Sequence, residues 1–216
     1  ITITPAAAKD STIRYNGTTL KQGETITGEN GGTATVDSKN NTITLDNFKG
    51  NYPLEFNAEF TPNSIILIGD STLSAVETKY QNLTISGSGS LTVGSIKVHN
   101  QKASSDDKPN LTINGATVTV GTAELTTRAI DIDGDLTVTN GSLTATSASN
   151  NVPTVQVGGN ASFTGSTVTI TNNSTTQGEQ YKDSNAASSA LHVNGAVTIS
   201  GGTVTAEAKA GGNAIR

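Results

Sequence analysis

The densest group of potential ligand atoms in the chain is Asp131-Ile132-Asp133-Gly134-Asp135. Period-2 alternation turns Ile130 and Ile132 inward, so Asp131 and Asp133 project from one outer face, with Asp135 just past a glycine turn. Carboxylate oxygens in that arrangement suit Ca²⁺, which takes about 6–8 oxygen ligands at about 2.3–2.6 Å. The plain alternative is a set of solvated acids near a turn. The same acids can also be read as hydrolase chemistry, because alternate residues on a strand lie roughly 6–7 Å apart, close to the carboxylate spacing of an inverting glycosidase. Against catalysis, the adjacent repeats supply no further outward carboxylate, and the three arginines, Arg14, Arg128 and Arg216, are scattered for a lyase.

Other side chains with recognition chemistry sit in two insertions. Asn100–Pro109 follows one strand, and Thr171–Ser189 follows another and carries Glu179, Tyr181 and Asp183. Loops on a rigid scaffold commonly carry function, and Tyr181 is the one aromatic of its loop that could stack on a sugar ring. The candidate ligand-binding set is therefore Asp131, Asp133, Glu179, Tyr181 and Asp183, and the candidate calcium set is Asp131, Asp133 and Asp135. The two histidines, His99 and His192, fall on non-adjacent repeats, which argues against a histidine metal site. Asn-x-Thr triplets such as Asn82-Leu83-Thr84 and Asn110-Leu111-Thr112 carry no message beyond the abundance of Asn and Thr.

The elements that must position these groups are strands in a repeat. From Ile130 the inward series runs Ile130, Ile132, Gly134, Leu136, Val138, Leu143 and Ala145. The same offsets recur from Val155 (Val157, Gly159, Ala161, Phe163, Val168, Ile170) and from Leu191 (Val193, Gly195, Val197, Ile199, Val204, Ala206). Less complete copies start at Ile96 and at Leu83, and a degenerate one runs from Leu54 and Phe56 through Ile66, Ile68 and Leu73. Each full copy reads as three strands, such as Ala129–Asp133, Asp135–Thr139 and Ser142–Thr146. A fixed strand pattern with length variation confined to corners is the mark of a stacked solenoid. The competitor is a sandwich of antiparallel hairpins, for which Asn114-Gly115 and Asn140-Gly141 are strong turn signals. That reading leaves Ile130, Val155 and Leu191 unexplained.

Stacking in register would put Lys97, Gln156 and His192 around Asp131, with Lys97 compensating its charge, and His99 and Asn194 around Asp133. It would also align outward columns of Thr92, Thr119, Thr144, Thr169 and Thr205 beside Ser90, Thr117, Ser142, Thr167 and Thr203. Such a face resembles an ice-binding surface, but β-branched Thr on strands, with its hydroxyl keeping the outer face wet, is the stronger explanation, and Gly94, Gly121 and Glu207 interrupt the third column.

The ends differ from the middle. Residues 1–53 lack the pattern but hold a hairpin, Thr33–Val36 with Thr42–Leu45, followed by Phe48, Tyr52, Phe56 and Phe60; this is the expected cap, with repeats over 54–216. Ala214-Ile215-Arg216 aligns with Ala190-Leu191-His192 and begins a further repeat. The expectation is a fragment of a longer protein, or a last rung closed by a partner through end-to-end association.

Composition narrows the functions. Nearly half of the 216 residues are Thr, Ser, Asn or Gly, there are four Tyr and four Phe, and Cys, Met and Trp are absent. Disulfides, thiol nucleophiles and thiolate metal sites are thereby excluded. Thirteen basic against eighteen acidic residues, with no basic cluster, argue against nucleic-acid binding. No aliphatic run approaches the roughly 20 residues of a membrane helix, so no membrane insertion is expected.

The run Thr33-Ala34-Thr35-Val36-Asp37-Ser38-Lys39-Asn40-Asn41-Thr42-Ile43-Thr44-Leu45-Asp46-Asn47, and Asn82-Leu83-Thr84-Ile85-Ser86-Gly87-Ser88-Gly89-Ser90-Leu91-Thr92-Val93 with its later variants, resemble bacterial secreted right-handed β-helix proteins of the carbohydrate-binding and adhesin-like kind. The resemblance covers about residues 33–216. It implies an all-β, right-handed parallel β-helix of about six rungs with an N-terminal β-hairpin cap, outside a bacterial cell. Some such relatives bind acidic polysaccharides with calcium. The function expected is noncatalytic binding of a polysaccharide or host-surface glycan. The alternatives are a structural stalk, a polysaccharide lyase or hydrolase, and an ice-binding face.

Overall fold

A computed structural model describes residues 12–59, 61–102, 107–176 and 188–216. The fold is all-β and solenoid-like: among the described residues there is no helix, and the strands form two sheets dominated by parallel pairing. Alternation of β-branched and aliphatic residues with Thr and Ser buries every second side chain, as in the strand Ser142–Ser147, where Leu143, Ala145 and Ser147 point inward.

An eight-stranded sheet collects the first strands of the repeats. Leu54–Phe56, Val76–Thr78, Ile96–Val98, Ile130–Ile132, Val155–Val157 and Leu191–Val193 pair in parallel, each with its counterpart one repeat on. The register is the one the offsets predict, with Ile130 opposite Val155 and Val155 opposite Leu191. The thirteen-stranded sheet holds the second and third strands. Leu136 faces Ala161 and then Val197 in one column, and Leu143 faces Val168 and then Val204 in the other. Both columns belong to one sheet because Ala161–Asn172 runs continuously through the corner between them, as does Val197–Ala208.

Parallel pairing between repeats answers the hairpin alternative. Leu136–Thr139 and Ser142–Ser147 flank Asn140-Gly141 but pair with strands of neighbouring repeats. The dipeptide turns a corner instead of reversing the chain. Asn140 supplies the left-handed backbone there, at φ 51°, and in the preceding repeat Gly115 does so at φ 72°.

The N-terminal hairpin is present. Thr33–Asp37 pairs antiparallel with Thr42–Asp46, and a third strand, Thr25–Thr27, extends it. Thr42–Asp46 also pairs in parallel with Asn63–Leu67, so the hairpin's second arm opens the second-strand column. Ile13–Tyr15 covers the other sheet by antiparallel pairing with Leu54–Phe56. Phe48 and Phe56 are buried, and Tyr15 stands edge-on to Phe48 and Tyr52, at 5.6 and 5.8 Å between ring centroids. Phe60 lies outside the described residues.

One expected inward series is displaced by a residue. Ile66 and Ile68 face solvent, while Ile65 and Leu67 are buried. Pairing of Asn63 with Leu83 and of Ile65 with Ile85 sets the parity. Four consecutive aliphatic residues conceal alternation, and a slip of one residue exchanges the two faces. At the other end, Ile215 bridges Leu191 in parallel, in the alignment expected for Ala214–Arg216.

Candidate functional site

The corner between first and second strands carries the polar groups of interest. Asp131 and Asp133 point outward from a strand anchored by Ile130 and Ile132, both buried. Asp131 Oδ2 lies 3.2 Å from Arg128 Nη1 and 3.6 Å from His99 Nε2. The second distance is an ionic contact longer than a full hydrogen bond. Burial by itself would raise the Asp131 carboxyl, but His99 and Arg128 together hold it below the usual carboxylate range. Reciprocally, the Asp131 carboxylate raises His99 against the burial that would lower it. His192, two strands away in the same column, is lowered by burial, with Arg216 and Arg128 adding to the effect.

Lys97 does not compensate Asp131, contrary to expectation. It stands between Glu77 and Asp131 in the sheet and pairs with Glu77 at 3.2 Å. Arg128, three residues before Asp131, takes the place expected for it. The scattered appearance of the arginines in sequence concealed that contact.

Asp133 fastens the first insertion. Its Oδ2 accepts the backbone N–H of Asn100 at 2.8 Å, the Asn100 side-chain amide donates to the Asp107 carbonyl at 2.8 Å, and Asn100 Oδ1 accepts the Lys102 N–H at 2.9 Å. Both ends of the insertion are thus tied to the strand that bears Asp131. Residues 103–106 of the insertion lie outside the described residues; between its described ends and the sheet lies a groove of about 490 Å³. Asn100, Asp107 and Lys108 line one side; Asp131, Asp133, Gln156, Gly158 and Asn194 line the other. Gln156 and Asn194 are the neighbours that stacking in register predicts.

Asp135 belongs to a different device. The backbone N–H of Asn110 donates to Asn82 Oδ1, that of Asp135 to Asn110 Oδ1, that of Asn160 to Asp135 Oδ1, and that of Ala196 to Asn160 Oδ1, all at 2.6–2.9 Å. One Asx side chain per repeat therefore caps the next repeat along the same corner. The recurring glycine of the sequence pattern makes room for it. A Cβ on Gly134, Gly159 or Gly195 would sit 2.1–2.4 Å from an Asx Oδ1 of the preceding repeat. The sequence signal was an Asn or Asp immediately before four of the second strands, at Asn82, Asn110, Asp135 and Asn160, which abundance of Asn made easy to discount.

The three carboxylates are thus drawn into separate contacts, and a calcium ion at Asp131 would compete with Arg128 and His99. Among the described residues, no group of three or more His, Asp or Glu side chains is placed to hold a metal ion. Glu179, Tyr181 and Asp183 lie outside the described residues. The outward Thr and Ser columns align as expected, with Thr92, Thr119, Thr144, Thr169 and Thr205 in register. No helix among the described residues is long and apolar enough to cross a membrane.

A further polar groove, of about 330 Å³, adjoins the first. Tyr80, Gln81 and Asn82 line it together with Asp107, Lys108 and Asn110, and Lys102 Nζ stands 5.7 Å from the Tyr80 ring centroid. Nothing in the repeat pattern singled out Tyr80. Comparison of the chain with protein-family models, with characterised proteins and with solved structures gives no match.

Proposed function

We propose that the chain is a right-handed parallel β-helix of about six rungs that acts outside a bacterial cell as a noncatalytic glycan-binding module. The observation that carries this reading is the groove that Asn100, Asp107 and Lys108 form with the strand of Asp131 and Asp133. Its walls offer carboxylates, amides and an ammonium group, the mixed acceptors and donors that sugar hydroxyls pair with. In-register parallel pairing from Leu54 to Val193 supports the helix, and the rigid corner ladder beneath the groove supports recognition by a preformed surface.

Catalysis is disfavoured by the same contacts. Asp131 is held as a carboxylate by Arg128 and His99, and Asp133 accepts a backbone N–H that fixes a loop. A general acid would instead need a carboxyl pushed upward and free to meet substrate.

A glycan array probed with and without calcium tests the binding reading, and release of reducing ends or unsaturated uronates tests for an enzyme. Binding lost in Asp133→Ala, with no product released, is the expected outcome. Affinity that requires calcium would indicate a metal-bridged contact through Asp131, Asp133 and Asp135. A blank array in both conditions leaves the structural stalk as the better reading.

A further inference from the structure

Much of the hydrogen-bonding capacity around the groove of Asp131 and Asp133 is already in use. Asn100 spends its backbone N–H on Asp133, its side-chain N–H on the Asp107 carbonyl and its Oδ1 on the Lys102 N–H. Asp131 is held by Arg128 and His99, and Asp107 has an interaction of its own. Three groups on the sheet wall stand apart. Asp133 gives Oδ2 to Asn100, while its Oδ1 and the side-chain amides of Gln156 and Asn194 line the groove with no hydrogen-bond partner among the described residues.

These three surround a glycine. The strand register carries Asp133, Gly158 and Asn194 into one outward column, with Gln156 two residues before Gly158 on the same face. Pairing continues past the strand ends into that column: the Gly158 N–H donates to the Ile132 carbonyl at 2.8 Å and the Asn194 N–H to the Val157 carbonyl at 3.0 Å. Gly158 is not in the left-handed region, so its backbone angles do not demand glycine. Space does, because a Cβ there would lie 2.2 Å from the Asp133 carbonyl oxygen. The other positions of the column carry side chains, Lys79 and His99 before Asp133 and Asn194 after the glycine. Asp133 and Asn194 thus stand two strand spacings apart, roughly 9.6 Å, with bare backbone between them and the Gln156 amide beside it. The gap is a slot for one ring, open to the groove.

A slot with this lining selects for paired hydroxyls. A carboxylate oxygen only accepts, while an amide both donates and accepts. One hydroxyl of a vicinal diol can donate to Asp133 Oδ1 while both hydroxyl oxygens accept from the amides, so each of the three side chains is used. A ligand carboxylate has no proton to give Asp133 and is repelled by it. A ligand ammonium satisfies the carboxylate but leaves the amide N–H donors without an acceptor.

We propose that the gap over Gly158 is a subsite for one uncharged pyranose, read through a vicinal diol by Asp133 Oδ1, Gln156 and Asn194. The proposal rests on the glycan-binding reading and adds the place, size and charge class of the unit recognised.

Amide NMR titration of the full chain with the methyl glycosides of glucose, galactose and mannose tests it, because the side-chain amides of Gln156 and Asn194 give signals of their own beside the Gly158 N–H. At least one glycoside should move all three signals along a single binding curve. Removing either hydroxyl of the recognised diol, in the matching monodeoxy glycosides, should weaken that binding by about tenfold. Gln156→Ala and Asn194→Ala should each weaken it by about three- to tenfold, and Asp133→Asn, which keeps an acceptor for the Asn100 N–H, by about tenfold. Unfolding midpoints of the variants will show that the fold is retained. A glycan that binds on an array while none of the three glycosides moves these signals, or a glycoside whose affinity survives all three substitutions, would overturn the slot and leave glycan binding intact. Methyl glucuronide or methyl glucosaminide moving the same signals at lower concentration than the neutral glycosides would overturn the uncharged class. A blank array together with unmoved signals would overturn the glycan reading and the slot with it.

Discussion

At the scale of single residues, Asp133 is the side chain on which the groove depends. Its carboxylate accepts the Asn100 N–H and sets where the insertion leaves the sheet. Asp133→Ala leaves that donor without its charged partner, and a charge-assisted hydrogen bond of this kind is worth about 1–3 kcal/mol. Urea unfolding should show a loss in that range, and hydrogen exchange should show faster exchange at Asn100. Asp133→Asn retains an acceptor and should recover much of the loss. The ion pair of His99 with Asp131 predicts a pH signature. Because His99 titrates higher in the folded chain, its stabilisation is complete below the unfolded value of about 6.5 and disappears as pH rises through the folded value. Because Asp131 titrates lower, its stabilisation is present above about 3.9 and disappears as pH falls through the folded value. The pair thus contributes most between those two unfolded values. His192 works in the other sense: lowered by burial, it stabilises above about 6.5 and loses that contribution on acidification. Unfolding midpoints across pH 4–8 should therefore lose their fall toward high pH in His99→Gln, while His192→Gln should remove part of the fall toward low pH. Unchanged profiles in both variants would mean that neither histidine is coupled to folding.

At the scale of elements, the corner ladder joins one repeat to the next beside the backbone hydrogen bonds from the Gly159 N–H to the Gly134 carbonyl and from the Gly195 N–H to the Gly159 carbonyl. Asn110→Ala removes the acceptor for the Asp135 N–H and should cost about 1–2 kcal/mol. Asp135→Asn keeps an acceptor oxygen for Asn160 and should change stability by no more than about 0.5 kcal/mol. A Cβ on Gly159 would approach Asp135 Oδ1 to 2.1 Å, so Gly159→Ala must displace either the ladder or the strand that follows. Denaturant titration of the three variants should rank them Gly159→Ala, Asn110→Ala, Asp135→Asn in decreasing damage. An equal effect from all three would show the ladder to be incidental. The order also bears on the two grooves, because Asn82 and Asn110 line the one beside Tyr80 and Asp135 follows the strand of Asp131 and Asp133, which line the other.

At the scale of the whole molecule, stability comes from a narrow core repeated along one axis. Leu136, Val138, Leu143 and Ala145 are fully buried and face equivalents on both sides. Leu136→Ala should destabilise by about 2–5 kcal/mol, the usual cost of a cavity at a fully packed site. Ile199 occupies the same inward series but is 52% exposed on the last long strand, Val197–Ala208. Ile199→Ala should cost less than about 1 kcal/mol, since little packing is lost there. Equilibrium unfolding of the two variants measures the difference, and nearest-neighbour stacking predicts that it scales with the number of flanking repeats.

The sequence by itself determined the repeat, its register and the outward direction of Asp131 and Asp133, because a strand's side chains alternate with period two and equal offsets can stack only in one alignment. It also marked Asn100–Pro109 as the place where the chain departs from that period. Parity was lost only at Ile65–Ile68, where four aliphatic residues in a row erase the alternation. The tertiary structure decided which charges meet. Sequence neighbours suggested Lys97 for Asp131, yet Arg128 and His99 reach it, because charged side chains long enough to choose among several partners settle according to distances between repeats. It also decided that Asn100, Asp133 and Asn194 line one groove, since residues so far apart in the chain come onto one corner only when the intervening repeats stack.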